Sequence, residues 1–132
     1  MLGIDTNVLV RYFTKDDDIQ TKLAEKLLDK YSGEAGSIFI NNIVICELIW
    51  VLNRLYKYNK VQIIILLREI LCTIEFSFEN QSLLTRSVLD YEDSDVDFAD
   101  ILIGNINLNN NCTTTFTFDK TASDLKSFEK IV

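Results

Sequence analysis

The sequence has no histidine and no proline, and it contains only four glycines and three cysteines among its 132 residues. Without histidine, the protein cannot use His-based acid–base catalysis, His-activated nucleophiles or His-ligated zinc. Carboxylate chemistry remains, because the chain carries 20 Asp and Glu residues. The lack of proline has no consequence for chemistry.

The cysteines are too sparse to form a disulfide framework. Cys46, Cys72 and Cys112 are far apart, odd in number and form no CxxC pair, which favours a reducing, cytoplasmic setting. A chain of this length removes roughly two-thirds of its unfolded surface from water, so it needs no disulfide or structural metal to stay folded. We therefore predict one globular domain over residues 1–132.

Long hydrophobic runs are also missing. The most apolar stretch, residues 61–67, ends at Arg68 and falls far short of the roughly 20 residues that cross a bilayer. The apolar start "MLGIDTNVLV" has no basic segment before it and is interrupted by Asp5. We expect a soluble protein without a signal peptide.

Positive charge is scarce, with 13 Lys and Arg residues and a net charge of −7. This argues against binding nucleic acid through a broad basic face, because phosphate contacts rely on cations. It does not exclude a nucleic-acid enzyme whose acidic cleft is neutralised by divalent cations. The best candidates for phosphate contacts form a small basic cluster: Arg54, Lys57, Lys60 and Arg68. The alternative is that these residues simply form a solvated helix face.

Strand-like and helix-like patterns alternate along the chain. Predicted strands lie at 1–4, 37–40, 73–78, 112–118 and 130–132, and predicted helices at 19–31, 42–55, 61–72, 79–91 and 98–108. A further helix follows "DTN", with Thr6 or Asn7 as its cap, and Asn42 is the expected cap of the helix over 42–55. This alternation predicts an α/β fold with a mostly parallel central sheet and helices on both faces.

Acidic residues stand where predicted strands end or apolar helices begin. Asp5 follows "GI", Asp119 follows "TFTF", and Asp100 lies in "FADILIG". Because ligands of open α/β sheets bind beyond the carboxyl ends of the strands, Asp5 and Asp119 could meet there, with Glu47 and Asp100 in reach. Converging carboxylates repel each other, and bound Mg²⁺ or Mn²⁺ resolves the conflict. Such a site suits phosphodiester hydrolysis by a metal-activated water.

Glu47 is the only charged residue between Glu34 and Arg54. Its neighbours one helical turn away are all apolar: Ile43, Val44, Trp50 and Val51. A carboxylate there either points into solvent or has a cationic partner, because an unpaired buried charge is costly.

The ordered set "GIDTNVLVRYF", "ICELIWVL", "DFADILIG" and "TFTFD" resembles a PIN-domain ribonuclease, most closely the VapC toxins of bacterial and archaeal toxin–antitoxin pairs. The resemblance implies a three-layer α/β/α fold and RNA cleavage with Mg²⁺ or Mn²⁺. It also implies a homodimer and a cognate VapB-like antitoxin that inserts a segment toward the acidic groove.

Carried over residue by residue, the resemblance assigns a metal-binding and catalytic quartet: Asp5, Glu47, Asp100 and Asp119. Thr6, Asn7 and Thr117 match polar positions that support it. Asp97 matches an additional metal-site acid, although Ser94 and Asp97 also fit a capping-box pattern.

Three alternatives stay open. The chain could be an RNA-processing PIN nuclease outside a toxin–antitoxin pair, or a catalytically silent PIN-like scaffold that binds a partner. An aspartyl-phosphate phosphatase beginning at "DTN" fits poorly, because such an enzyme needs a second acid where Asn7 stands.

Overall fold

The computed structural model describes all 132 residues. The chain divides into two compact units, Met1–Glu79 and Asn80–Val132. Each unit combines helices with parallel strands. The single domain predicted over 1–132 stays a prediction.

The first unit contains a three-stranded parallel sheet in the order β1-β2-β3. Its strands are β1 (Leu2–Gly3), β2 (Ile38–Ile40) and β3 (Phe76–Phe78). Leu2 pairs with Ile38, and Ile38 pairs with Phe76. Parallel neighbours need long crossover connections, and each one here holds two helices: α1 (Thr6–Thr14) and α2 (Asp18–Lys30), then α3 (Asn42–Arg54) and α4 (Lys60–Cys72).

Short polar side chains start the helices of this unit. The Asp5, Asp17, Asn41 and Asn59 side chains each accept a bond from a backbone N–H of the first turn. The predicted caps Thr6, Asn7 and Asn42 are therefore wrong by one or two positions. A cap must keep extended backbone for its side chain to reach forward; Asp5 (ψ 177°) and Asn41 (ψ 167°) do so.

The buried residues of the first unit come from the sheet and from one face of each helix. Leu9, Ile38, Ile40, Ile45, Leu48, Leu52, Ile63, Leu67 and Ile70 are almost completely excluded from solvent. Each such aliphatic side chain contributes roughly 1.5–3 kcal/mol when fully buried. The continuous apolar character of β2 is typical of a strand covered on both faces.

The second unit contains α5 (Gln81–Glu92), α6 (Phe98–Asn109), β4 (Thr115–Thr117), a 3₁₀ turn (Ala122–Asp124) and β5 (Phe128–Lys130). β4 and β5 pair in parallel, with Thr115 opposite Phe128 and Thr117 opposite Lys130. A small cluster of Val96, Ile101 and Ala122 packs with Tyr91, Leu125 and Phe128.

The predicted α/β class with parallel strands is confirmed, since all three strand pairings are parallel. The strands are shorter than predicted. The strand expected at 112–118 begins only at Thr115, because Asn110 and Cys112 still bond to the end of α6. The last strand lies two residues earlier than expected, at Phe128–Lys130.

All three cysteines are free, with Cys46 partly buried and both Cys72 and Cys112 exposed. Burial raises the pKa of the Cys46 thiol. No helix in the chain has the length and apolarity needed to cross a membrane.

Candidate active site

Asp5 lies where β1 has ended and α1 begins. Its exposed carboxylate accepts a bond from the Val8 N–H at 3.3 Å, so one oxygen holds the first turn of α1. The other oxygen has no part in that cap. Asp5 can therefore start the helix and still offer a carboxylate oxygen to a ligand.

Glu47 is exposed on the second turn of α3, where its Oε1 accepts a bond from the Thr6 hydroxyl at 3.0 Å. Its neighbours Ile43 and Trp50 are also exposed, at 70% and 58%. Glu47 is thus not a buried charge, and its hydrogen-bond donor is a hydroxyl rather than a cation. The sequence left two possibilities, a carboxylate that points into solvent or one with a cationic partner, and the structure shows the first.

Thr6 links the start of α1 to Glu47, directly after Asp5. Asn7 is exposed and lines a surface cavity of about 310 Å³ on α1 and α2, together with Arg11 and Leu23. Thr6 therefore has a hydrogen bond with one of the predicted acids of this unit, whereas Asn7 is placed only at the surface cavity.

Asp100 is half-buried in the first turn of α6 in the second unit. Its pKa is raised, first by desolvation and then by the negative charges of Asp97 and Asp119. Asp97 and Asp119 are thus near enough to Asp100 for electrostatic repulsion. A cation would relieve it.

Asp97 occupies the cap position of α6, but its side chain makes no capping hydrogen bond. Ser94 instead accepts a 3.4 Å bond from the Val96 N–H. The capping box predicted from Ser94 and Asp97 is therefore absent. The carboxylate of Asp97 is exposed and is not used to hold the helix.

Asp119 follows β4 and shapes the turn after it. Its Oδ1 accepts bonds from the N–H groups of Thr121 at 2.8 Å and Ala122 at 3.3 Å, and its own N–H donates to the Thr117 hydroxyl at 3.0 Å. Thr117 thus holds the backbone of Asp119, and its supporting role at the site stays a prediction.

The donor set of each unit suits a hard cation, because it consists of carboxylate and hydroxyl oxygens without histidine or thiolate ligands. In the second unit, the pKa of Asp100 is raised first by burial and then by the negative charges of Asp97 and Asp119, and such an ion would balance these charges. Within either unit, no three acidic or cysteine side chains stand close enough to form a complete ligand group by themselves.

The predicted basic cluster extends from the end of α3 to α4, with Lys57 in the connection between the two helices. Arg54, Lys57 and Arg68 are exposed and Lys60 is half-buried, and a role in phosphate contacts stays a prediction. Phe116 and Phe118, which are not among the site residues predicted from the sequence, are exposed immediately before Asp119. The alternation in "TFTF" signals a two-faced strand, but periodicity does not reveal which face is buried.

No curated protein matches the chain at a significant level. A family model, that of the PIN domain, matches residues 3–127 and therefore extends over nearly the whole chain and both units. PIN domains are generally nucleases. Since the match spans far more than half of the sequence, the protein belongs to the PIN domain family.

Proposed function

We propose that the protein is a divalent-metal-dependent endoribonuclease and acts as the VapC-type toxin of a toxin–antitoxin pair. The observation that carries the proposal is the PIN-domain match over residues 3–127, a range that contains all four acids assigned by the resemblance. Asp5, Glu47 and Asp119 are exposed, and Asp100 is half-buried in the first turn of α6. Solvent, metal and substrate therefore have access to each acid.

The proposed ligands of Mg²⁺ or Mn²⁺ are Asp5, Glu47, Asp100 and Asp119, with Asp97 as an additional acid. That these residues of two units serve one centre follows from the family resemblance. When bound, the metal would lower the pKa of a water and stabilise charge on the phosphate. The Thr6 hydroxyl donates to Glu47 and orients it, and the Thr117 hydroxyl accepts a bond from the Asp119 N–H and holds the backbone there.

The first test is cleavage of a labelled RNA by the purified protein. We expect cleavage with Mg²⁺ or Mn²⁺, loss of cleavage with EDTA, and loss in the Asp5→Asn and Asp100→Asn variants. Asn is the right replacement at position 5, because its side chain caps a helix as well as Asp does and α1 stays in place. Asp5→Asn protein that cuts as fast as the parent in metal-replete buffer would show that the assignment is wrong.

The toxin role needs its own test, because an RNA-processing PIN nuclease would show the same cleavage. We expect a small reading frame beside the gene, encoding a DNA-binding VapB-like antitoxin. Co-expression with its product should rescue cell growth and abolish cleavage, and light scattering should show a homodimer. If no neighbouring product binds the protein, the RNA-processing function is favoured.

A further inference from the structure

One side of α6 carries both an acid of the candidate site and the contacts of this helix with β4 and β5. Asp100, Gly104 and Asn107 are four and three residues apart, which places them within about 60° of one another around the helix axis. A Cβ at Gly104 would lie 2.6 Å from the Phe128 ring on β5. The Asn107 side-chain amide donates a 2.9 Å bond to the Thr115 hydroxyl on β4. The side of α6 that holds Asp100 is therefore the side that faces these strands.

The chain reverses after Asn107, so that β4 runs back along α6. The Asn107 carbonyl accepts two backbone N–H bonds, both at 3.0 Å, from the turn that ends the helix. Thr115 then lies beside Asn107, and Asp119, four residues later, is near enough to Asp100 for the two charges to repel each other. The two elements are thus joined by a side-chain bond near the turn, and the two acids lie at the opposite end.

The inward face of β4 connects this bond to Asp119. Thr115 and Thr117 are half-buried and two positions apart in the strand, so their side chains lie on the same face. The Thr117 hydroxyl accepts the 3.0 Å bond from the Asp119 N–H. Asn107 therefore holds one threonine of this face, and the other threonine holds the backbone of Asp119.

The placement of α6 against β4 matters because a divalent cation accepts its oxygen ligands only at about 2.0–2.6 Å. Rotation of α6 or a shift of β4 along it would change the separation of the Asp100 and Asp119 carboxylates. The close contact at Gly104 sets how near α6 lies to β5, but a steric contact does not prevent sliding. A hydrogen bond is directional and does oppose it, so Asn107 supplies what Gly104 lacks.

We propose that Asn107 is a positioning residue of the metal site: through Thr115 it fixes the rotation and register of α6 against β4, and with them the spacing of Asp100 and Asp119. The proposal rests on the metal-dependent function proposed above and adds to it a residue that is not a metal ligand. Without the Asn107 amide, the ligands remain but part of the binding free energy must align the two elements, which weakens cation binding.

The test measures the affinity of the purified protein for Mn²⁺, from the electron paramagnetic resonance signal of the free ion, well below the unfolding temperature. Asn107→Leu and Thr115→Val each remove one partner of the bond, and we expect each to weaken Mn²⁺ binding about fivefold. Thr115→Ser keeps the hydroxyl and should bind like the parent. Asn110→Ala is the matched control, because the Asn110 amide donates to the Ile106 carbonyl within the end of the same helix.

A second set of measurements separates positioning from a merely structural role. A structural bond would lower the midpoint of urea unfolding and leave the Mn²⁺ affinity of the folded protein unchanged. The double variant Asn107→Leu, Thr115→Val should bind Mn²⁺ like either single variant, because both changes break the same bond. In RNA cleavage at limiting Mn²⁺, kcat should fall with an unchanged KM for RNA, and excess Mn²⁺ should restore most of the rate.

Mn²⁺ affinities of Asn107→Leu and Thr115→Val equal to that of the parent would overturn the proposal, whatever their unfolding midpoints. So would a Thr115→Ser variant as weak as Thr115→Val, additive losses in the double variant, or a parent that binds no Mn²⁺. Loss of Mn²⁺ binding and cleavage in Asp100→Asn alone would reject the positioning role and keep the nuclease. Mn²⁺ binding that depends on Asn107 in a protein that cuts no RNA would keep the positioning role and reject the nuclease.

Discussion

The contact between Thr6 and Glu47 is the most informative single bond of the candidate site. It joins the residue after Asp5 to the one acid of α3. A hydroxyl donor leaves the charge of Glu47 in place, whereas an arginine or lysine would have neutralised it. Glu47 is thus held in position and remains available to a metal.

We predict that Glu47→Gln keeps the fold and weakens both the metal response and RNA cleavage. The amide oxygen can still accept the Thr6 bond, but it carries no charge for a cation. Thermal unfolding without metal should match the parent, while kcat/KM falls at least tenfold. Glu69→Gln, an exposed acid on α4, is the control and should behave like the parent. Unchanged activity and metal affinity would make Glu47 an ordinary surface acid.

Thr6→Val tests the positioning role by removing the hydroxyl at nearly constant shape. Because a hydrogen bond to a charged group contributes roughly 1.5–3 kcal/mol, we expect cleavage to fall roughly tenfold, while Thr6→Ser restores most of it. The apparent metal affinity separates positioning from stability, since it should weaken in Thr6→Val without a change in metal-free unfolding. A Thr6→Ser variant as impaired as Thr6→Val would contradict this role.

Among the elements of the second unit, α6 lies close to the β5 segment at Gly104. A Cβ at this position would lie 2.6 Å from both the Phe128 ring and the Ser127 hydroxyl. We predict that Gly104→Ala destabilises the protein by about 1–3 kcal/mol, measured by urea unfolding. Gly3→Ala is the control, because its nearest contact would be an ordinary 4.0 Å from the Phe39 carbonyl. Equal unfolding midpoints for the two variants would show that α6 can move aside.

The connection from α3 to α4 holds Lys57 in the left-handed region, with φ of 58°. This conformation costs a non-glycine residue about 1–2 kcal/mol. We therefore expect Lys57→Gly to raise the free energy of unfolding by about 0.5–1 kcal/mol. Lys26→Gly in the interior of α2 should lower it by about 1 kcal/mol, because glycine is a poor helix former. A Lys57→Gly variant less stable than the parent would contradict the expectation.

Sequence patterns predicted which helices and strands form more accurately than where each one ends or which of its faces is buried. Alternation of strands and helices was enough to indicate the parallel α/β class, because each pattern spans several residues. The caps fell one or two positions away because Asp5, Thr6 and Asn7 are all good capping residues, and only backbone geometry selects one. The exposure of Phe116 depends on what packs beneath β4, which no local pattern records.

For the whole molecule, the net charge of −7 predicts that divalent cations raise the stability of the folded state. A ligand that binds only the folded state stabilises it, by about 2.7 kcal/mol at 100 times its dissociation constant. We expect millimolar Mn²⁺ to raise Tm by several degrees and EDTA to reverse the shift. The double variant Asp5→Asn, Asp100→Asn should respond less. No shift in the parent would favour a catalytically silent scaffold.

The distribution of thiols offers a ready means of following the two units during function. Cys72 belongs to the first unit and Cys112 to the second, both are exposed, and the thiol of Cys46 is partly buried with a raised pKa. Thiolates are the reactive species, so maleimide dyes should label the exposed pair first. The unaltered protein thus carries one exposed attachment point per unit for energy-transfer measurements with and without added metal and RNA.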